Sequence, residues 1–172
     1  MRINAIKSHY LIITLYYFFC KYSSIIISDG FFLKCKFRRR LGYSLNLINP
    51  QTYSGIIQWL KLNDRTPLHT ICADKFAVRK YVKDKIGEEY LVPLVLKTYN
   101  VENINPENLP DYPIIIKTNH DSGTYFIIKD KNQTDWNNVR RSLKRALSKN
   151  YYYLCKEWQY KNIRPCIIVE RL

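Results

Sequence analysis

Residues 113–129 read Pro-Ile-Ile-Ile-Lys-Thr-Asn-His-Asp-Ser-Gly-Thr-Tyr-Phe-Ile-Ile-Lys, and they constrain the fold more than any other part of this 172-residue chain. Ile114, Ile115 and Ile116 form a β-branched run too short for a helix and apolar on both faces, the pattern of a buried strand. Tyr125 to Ile128 repeats it after Thr118, Asn119, His120, Asp121, Ser122 and Gly123, residue types that make turns. The expectation is an antiparallel hairpin pairing 113–117 with 125–129, with the Lys117 ammonium facing the 119–124 loop. A cation aimed at backbone N–H groups, hydroxyls and a glycine suits an anion such as a polyphosphate. An ordinary hairpin with a solvated lysine fits these residues equally well.

The surrounding elements extend the pattern. Asp74 to Ile86 places Ala77, Val78, Tyr81, Val82 and Ile86 at helical spacing, with Asp74 as N-cap and Gly87 just past the end. Tyr90 to Pro93 is extended, because a residue before proline avoids the helical region. Asp135 to Leu147 reads as a helix capped by Thr134, with Trp136, Val139, Leu143 and Leu147 as its buried stripe and Arg140, Arg141, Lys144 and Arg145 largely outside it. Cys166 to Leu172 is a further buried-type strand carrying Glu170. Helices and hairpin-forming strands in this order predict an α+β protein.

This order resembles the nucleotide-binding part of ATP-grasp enzymes. It is most similar to the TupA-like branch named after teichuronopeptide biosynthesis, found in bacterial capsule and surface-polysaccharide gene clusters and often labelled glycosyltransferase. The resemblance is carried by 45–52 (Leu-Asn-Leu-Ile-Asn-Pro-Gln-Thr), 58–62 (Gln-Trp-Leu-Lys-Leu), Asp64-Arg65, Pro67-Leu68, 73–79 (Ala-Asp-Lys-Phe-Ala-Val-Arg), 86–90 (Ile-Gly-Glu-Glu-Tyr), 151–153 (Tyr-Tyr-Tyr), Glu157-Trp158 and 160–163 (Tyr-Lys-Asn-Ile).

The resemblance implies a helical first lobe plus the antiparallel strands of an ATP-grasp nucleotide-binding lobe. It assigns ATP contacts to Lys75 and Lys117 at the phosphates, to the loop Asn119, His120, Ser122, Gly123 and Thr124 over the triphosphate, and to Glu170 at the adenine hinge. His120 fits a structural loop role as readily as a phosphate donor. The family loop usually reads Asn-His-Gly-Ser-Gly, so Asp121 adds a negative charge beside the expected phosphates, which weakens anion binding. Family members also continue beyond the hinge, where acidic and Asn residues hold magnesium. With those ligands absent here, the chain reads as a truncated N-terminal fragment with no metal site of its own and without catalysis.

Twenty-eight Lys and Arg against 14 Asp and Glu give a formal net charge of +14. That balance favours nucleotides, nucleic acid, anionic glycans or an anionic membrane surface without choosing among them. Neither a G-x-G-x-x-G nor a G-x-x-x-x-G-K-[ST] motif occurs. The five cysteines are odd in number, widely spaced and without a C-x-x-C pair, which argues against a disulfide framework or zinc knuckle and fits a cytoplasmic protein. Three histidines argue against a His-based metal site, and His9 and His69 read as surface or packing residues.

The apolar stretch Tyr10 to Ser28 is broken by Lys21 and Ser23-Ser24 and has no small-residue cleavage site, so it fits neither a secretory signal nor, well, a spanning helix. It reads as a helix packed on the protein or resting at a membrane interface. The basic cluster Lys34 to Arg40 after it reads first as a solvated turn, with contact to anionic lipid or polysaccharide as the alternative. The expected organisation is therefore an apolar segment 1–30, a helical lobe 31–99, a Pro- and Asn-rich linker 100–112 and an incomplete nucleotide-binding lobe 113–172.

Two functions from different classes follow. In the first, the chain is an ATP-grasp protein of surface-polysaccharide biosynthesis whose full-length relatives join a carboxylate to an amine, acting on a nucleotide and a saccharide or amino-acid acceptor at the inner face of the membrane. In the second, it is a basic protein without chemistry that binds nucleic acid or an anionic surface, a reading supported by its charge and 15 tyrosines. No recognised nucleic-acid motif accompanies those tyrosines.

Overall fold

The computed structural model describes residues 2–172, with side chains from Leu11 onward, so the expectation for His9 lies outside the described side chains. In chain order the helices are α1 (Arg2–Ile26), α2 (Asp29–Leu41), α3 (Tyr53–Asn63), α4 (Pro67–Ala73), α5 (Ala77–Ile86), α6 (Trp136–Leu147) and α7 (Tyr151–Cys155). The strands are β1 (Leu94–Thr98), β2 (Ile114–Thr118), β3 (Tyr125–Ile128) and β4 (Ile167–Arg171). The protein is α+β. It divides into two compact units, Met1–Arg65 with Tyr151–Lys161 and Thr66–Asn150 with Asn162–Leu172. The boundary after Arg65 falls inside the expected 31–99 lobe, and 151–161 belongs with the helices rather than with the strands around it.

The helical unit contains α1, α2, α3 and α7. Ser28 caps α2 by accepting from Phe31 N, and Gly42 closes it at φ 80°, a left-handed turn that glycine adopts without strain. Leu33, Phe37 and Leu45 form its apolar centre, with Phe32, Leu47 and Leu62 packed on them. Asp29 is its polar hub. Tyr152 Oη donates to Asp29 Oδ2 at 2.7 Å, Arg65 Nη2 lies 3.5 Å from the same oxygen, and Lys156 Nζ lies 3.3 Å from Oδ1. The Lys156 ammonium is fully buried between the rings of Phe32 and Tyr152, where that carboxylate and the two π faces offset its desolvation. Burial and the Asp29 charge push the Tyr152 hydroxyl upward.

The sheet unit is built on four antiparallel strands in the order β1-β4-β2-β3. The expected hairpin is present, with Ile114 opposite Ile128 and Lys117 opposite Tyr125. Ile114 and Ile116 of β2 and Ile167 and Val169 of β4 turn into one core, which α6 covers with Val139 and Leu143. Asp135, not Thr134, caps α6: its side chain accepts from Asn138 N, while Thr134 Oγ1 donates to the Asp130 carbonyl. Residues 100–112, expected as a linker, hold Val101, Ile104 and Leu109 inside this core between two short 3-10 turns. Proline and asparagine there shape turns, while the three apolar side chains anchor the segment.

Candidate nucleotide-binding site

The second face of the sheet carries the charges. Ile115 pairs with Glu170 and Lys117 with Ile168, so Lys117 and Glu170 are diagonal neighbours on one face. That geometry sets the fate of Lys117. Its ammonium lies 2.5 Å from Glu170 Oε2, rather than being turned to the loop. The other carboxylate oxygen, Oε1, accepts from Arg79 Nη1 at 2.9 Å, and Arg79 Nη2 donates to the Val92 carbonyl at 2.7 Å. Glu170 is buried and both of its oxygens are committed. It therefore acts as the counter-ion that fixes two cations, not as a group free to meet an adenine edge.

Lys75, in the turn between α4 and α5, is the lysine that reaches the loop. Its backbone N donates to Asn119 O at 3.1 Å, and its ammonium donates to the Asp121 carbonyl. Burial first, opposed by the Asp121 charge and reinforced by Lys117, lowers the Lys75 pKa from its ordinary value. Lys97 of β1 stands opposite Ile168 on the same sheet face, its ammonium 3.7 Å from the centre of the Phe76 ring. Arg79 and Lys117 thus pair with one buried carboxylate, with Lys97 on the same sheet face and Lys75 near enough to Lys117 to feel its charge. Beside Arg79, a cleft of about 1030 Å³ opens between α5 and residues 88–94, floored by Phe76, Tyr81, Leu91 and Leu94.

The loop has a fixed base and an open tip. Asn119 is buried, and Nδ2 donates to Asp74 Oδ1 at 2.9 Å and to Arg164 O at 3.1 Å. Its Oδ1 accepts from Cys166 N at 2.7 Å. His120 is buried too, with Nε2 at 3.2 and 3.0 Å from the carbonyls of Ala146 and Lys149, so that nitrogen carries the proton. Both side chains hold the loop to the protein: His120 takes the structural role, one of its two expected roles, and Asn119, which the resemblance assigns to ATP, is engaged by protein partners. Ser122 and Gly123 are exposed, with Thr124 half-buried. Gly123 has φ 118° and open space where a Cβ would sit, so conformation rather than crowding selects glycine there.

Asp74 accepts from the backbone N of Phe76 and Ala77 and so opens α5, although the regular helix starts three residues after it. Asp121 accepts from Thr118 Oγ1, which folds its carboxylate back onto the end of β2. Arg79, Lys97 and Thr118 were not singled out by the sequence reading. Arg79 had a signal, since it stands four residues after Lys75 in a segment expected to be helical, a spacing that shares a face.

A family model described as TupA-like ATPgrasp matches residues 55–172, which takes in the whole sheet unit together with most of α3 and all of α7 from the helical unit. The chain belongs to the TupA-like ATP-grasp family. No curated protein and no solved structure matches it.

The residues of this TupA-like ATP-grasp chain suit the anionic part of a nucleotide. The four cations Lys75, Arg79, Lys97 and Lys117 outnumber the carboxylates of Glu170, Asp74 and Asp121, and the adjoining cleft has the volume of a small-molecule site. They do not suit magnesium, which asks for several oxygen ligands in near-octahedral geometry. Among the described residues no group of three or more His, Cys, Asp or Glu is placed to hold a metal. The nearby carboxylates of Glu170, Asp74 and Asp121 are each committed to protein donors.

Asp121 gives a direct prediction. Asp121→Asn keeps an acceptor for Thr118 while removing a charge beside Lys75. A unit charge at about 4 Å in a water-like dielectric contributes about 1 kcal/mol. The variant should bind ATP several-fold more tightly in a calorimetric titration; unchanged or weaker binding would place phosphate away from this loop.

Proposed function

We propose that the sheet unit binds ATP on its cationic face, and that the chain serves ATP-dependent joining of a carboxylate to an amine in bacterial surface-polysaccharide biosynthesis. Lys75, Lys117, Arg79 and Lys97 attract the phosphates, and the exposed tip Ser122–Gly123 lets backbone N–H groups approach them. The cleft beside Arg79 accommodates the nucleoside. The observation that carries this reading is the pairing of Arg79 and Lys117 with the buried carboxylate of Glu170, with Lys75 and Lys97 nearby and a loop anchored at its base.

In the ligation, a carboxylate oxygen of a uronic acid or amino acid takes the γ-phosphoryl group and ADP leaves. An amine then attacks the acyl phosphate, the amide forms, and inorganic phosphate departs with the pair of electrons of the broken C–O bond. Family membership supports this reaction class. Bound ADP and phosphate are the products that an assay with an acid and an amine together would detect.

The binding test is a calorimetric ATP titration of the wild type and of single alanine variants. Lys75→Ala and Lys117→Ala should each weaken binding about tenfold, which corresponds to 1.4 kcal/mol. Lys129→Ala, exposed beyond β3, should leave it unchanged. Because Lys75 holds its proton loosely before the phosphates arrive, binding in alkaline buffer should take up protons, and affinity should fall as pH rises past the lowered Lys75 pKa. Equal loss in all three variants would instead signal non-specific attraction to a basic protein.

A further inference from the structure

The helical unit has a surface that the nucleotide reading leaves unused. Along α1, Leu11, Leu15, Phe18, Tyr22 and Ile25 recur at steps of four and three and all are exposed, with Phe19 and Ile26 beside them. At 3.6 residues per turn they fill an arc of about 120°, and among the residues with described side chains none in that arc is charged. Ile25 and Ile26 are 81% and 89% exposed. On the other side, Tyr17 and Cys20 are buried, and Tyr17 meets Tyr153 of α7 edge-on at 6.2 Å. A surface helix normally turns its apolar stripe inward and its polar face outward. Here both faces are apolar, and the outward one is a contiguous exposed apolar surface of the kind that marks an interaction site.

The neighbouring helix adds charge to that surface. On α2, Phe31, Lys34, Arg38 and Leu41 stand at steps of three, four and three, and all four are exposed. A cleft of about 230 Å³ lined by Phe19 of α1 and by Phe31 and Arg39 of α2 joins the two surfaces. We propose that α1 and α2 together form a docking surface for an anionic lipid bilayer. The apolar arc enters the headgroup–acyl boundary, and Lys34 and Arg38 contact lipid phosphates.

Charge argues for lipid over a second copy of the chain. Residues 1–41 contain eight Lys and Arg and one acid, Asp29, which Tyr152, Arg65 and Lys156 already engage. A second copy seated here would set basic surface against basic surface, with no acidic positions flanking the stripe to pair helices. Phenylalanine and tyrosine in the arc are residues suited to a membrane–water boundary. Among the described residues no helix is long and apolar enough to cross a membrane, so the contact is with the surface.

The test is co-sedimentation of the 172-residue chain with vesicles of phosphatidylcholine alone or mixed with phosphatidylglycerol. The chain should partition onto the mixed vesicles about tenfold more than onto the neutral ones. Lys34→Glu with Arg38→Glu should abolish that preference, and Phe19→Glu with Ile26→Glu should abolish binding. All four sites are exposed, so circular dichroism should show both variants folded. Arg141→Glu with Lys144→Glu, on the exposed side of α6, should change nothing. Equal binding to both vesicle types, an equal loss from the α6 variant, or a dimer in size-exclusion chromatography that Phe19→Glu splits while vesicles capture nothing, would each overturn the proposal.

Discussion

Glu170→Gln should cost the sheet unit about 3–5 kcal/mol, the size expected when one member of a buried ion pair is removed and its partners stay behind. Glu170 sits on the central strand β4 with its side chain 7% exposed, between Arg79 at 2.9 Å and Lys117 at 2.5 Å. An amide retains the shape but not the charge, so the Arg79 guanidinium and the Lys117 ammonium would face each other without their counter-ion. The loss need not mean that the ion cluster itself stabilises the fold, because desolvating three charges is expensive. Replacing all three together, Glu170→Leu with Arg79→Met and Lys117→Met, should therefore recover most of the stability while eliminating ATP binding. Urea unfolding of the wild type and the two variants separates the alternatives. A loss below about 1 kcal/mol for Glu170→Gln would mean that water screens the cluster as it does a surface pair.

Periodicity and turn chemistry made the hairpin legible. Two β-branched runs enclosing polar turn residues leave few other arrangements, and Ile114 does face Ile128. Strand β1 was less visible. Its register shifts between Leu94 and Leu96, which breaks the simple alternation, and it lies at the edge of the sheet. The placement of β4 between β1 and β2 depends on contacts distant in sequence, which no local pattern contains. The same limit explains the loop. The family resemblance assigns the whole loop to ATP and leaves His120 open between two roles, yet a loop base also needs partners for buried backbone groups, and both tasks select the same residue types. Val101, Ile104 and Leu109 show the converse. Prolines and asparagines around them suggested a linker, and only the packed core reveals that the apolar positions are anchors.

The largest effect on the loop should come from a residue that touches no ligand. Asn119 ties its loop to two other segments: Asp74 just before α5, and the approach to β4 through Arg164 and Cys166. Asn119→Ala removes both the amide donor and the oxygen that accepts from Cys166 N. The Cys166 amide and the Arg164 carbonyl would lose partners in a buried setting. At about 1–3 kcal/mol for each stranded group, the loss should be on the order of 3 kcal/mol. Asp74 would keep Phe76 N and Ala77 N, so α5 should remain folded. Asn119→Asp is a sharper test, since it restores an acceptor for Cys166 N but sets a second carboxylate against Asp74. It should be at least as damaging as alanine, whereas a requirement for the acceptor alone would make it nearly neutral. Hydrogen exchange then locates the damage. Faster exchange at 119–124 and at Cys166, with α6 unchanged and ATP binding weakened, is the expected pattern. Uniform acceleration across the whole unit would show that Asn119 supports the fold at large rather than the loop.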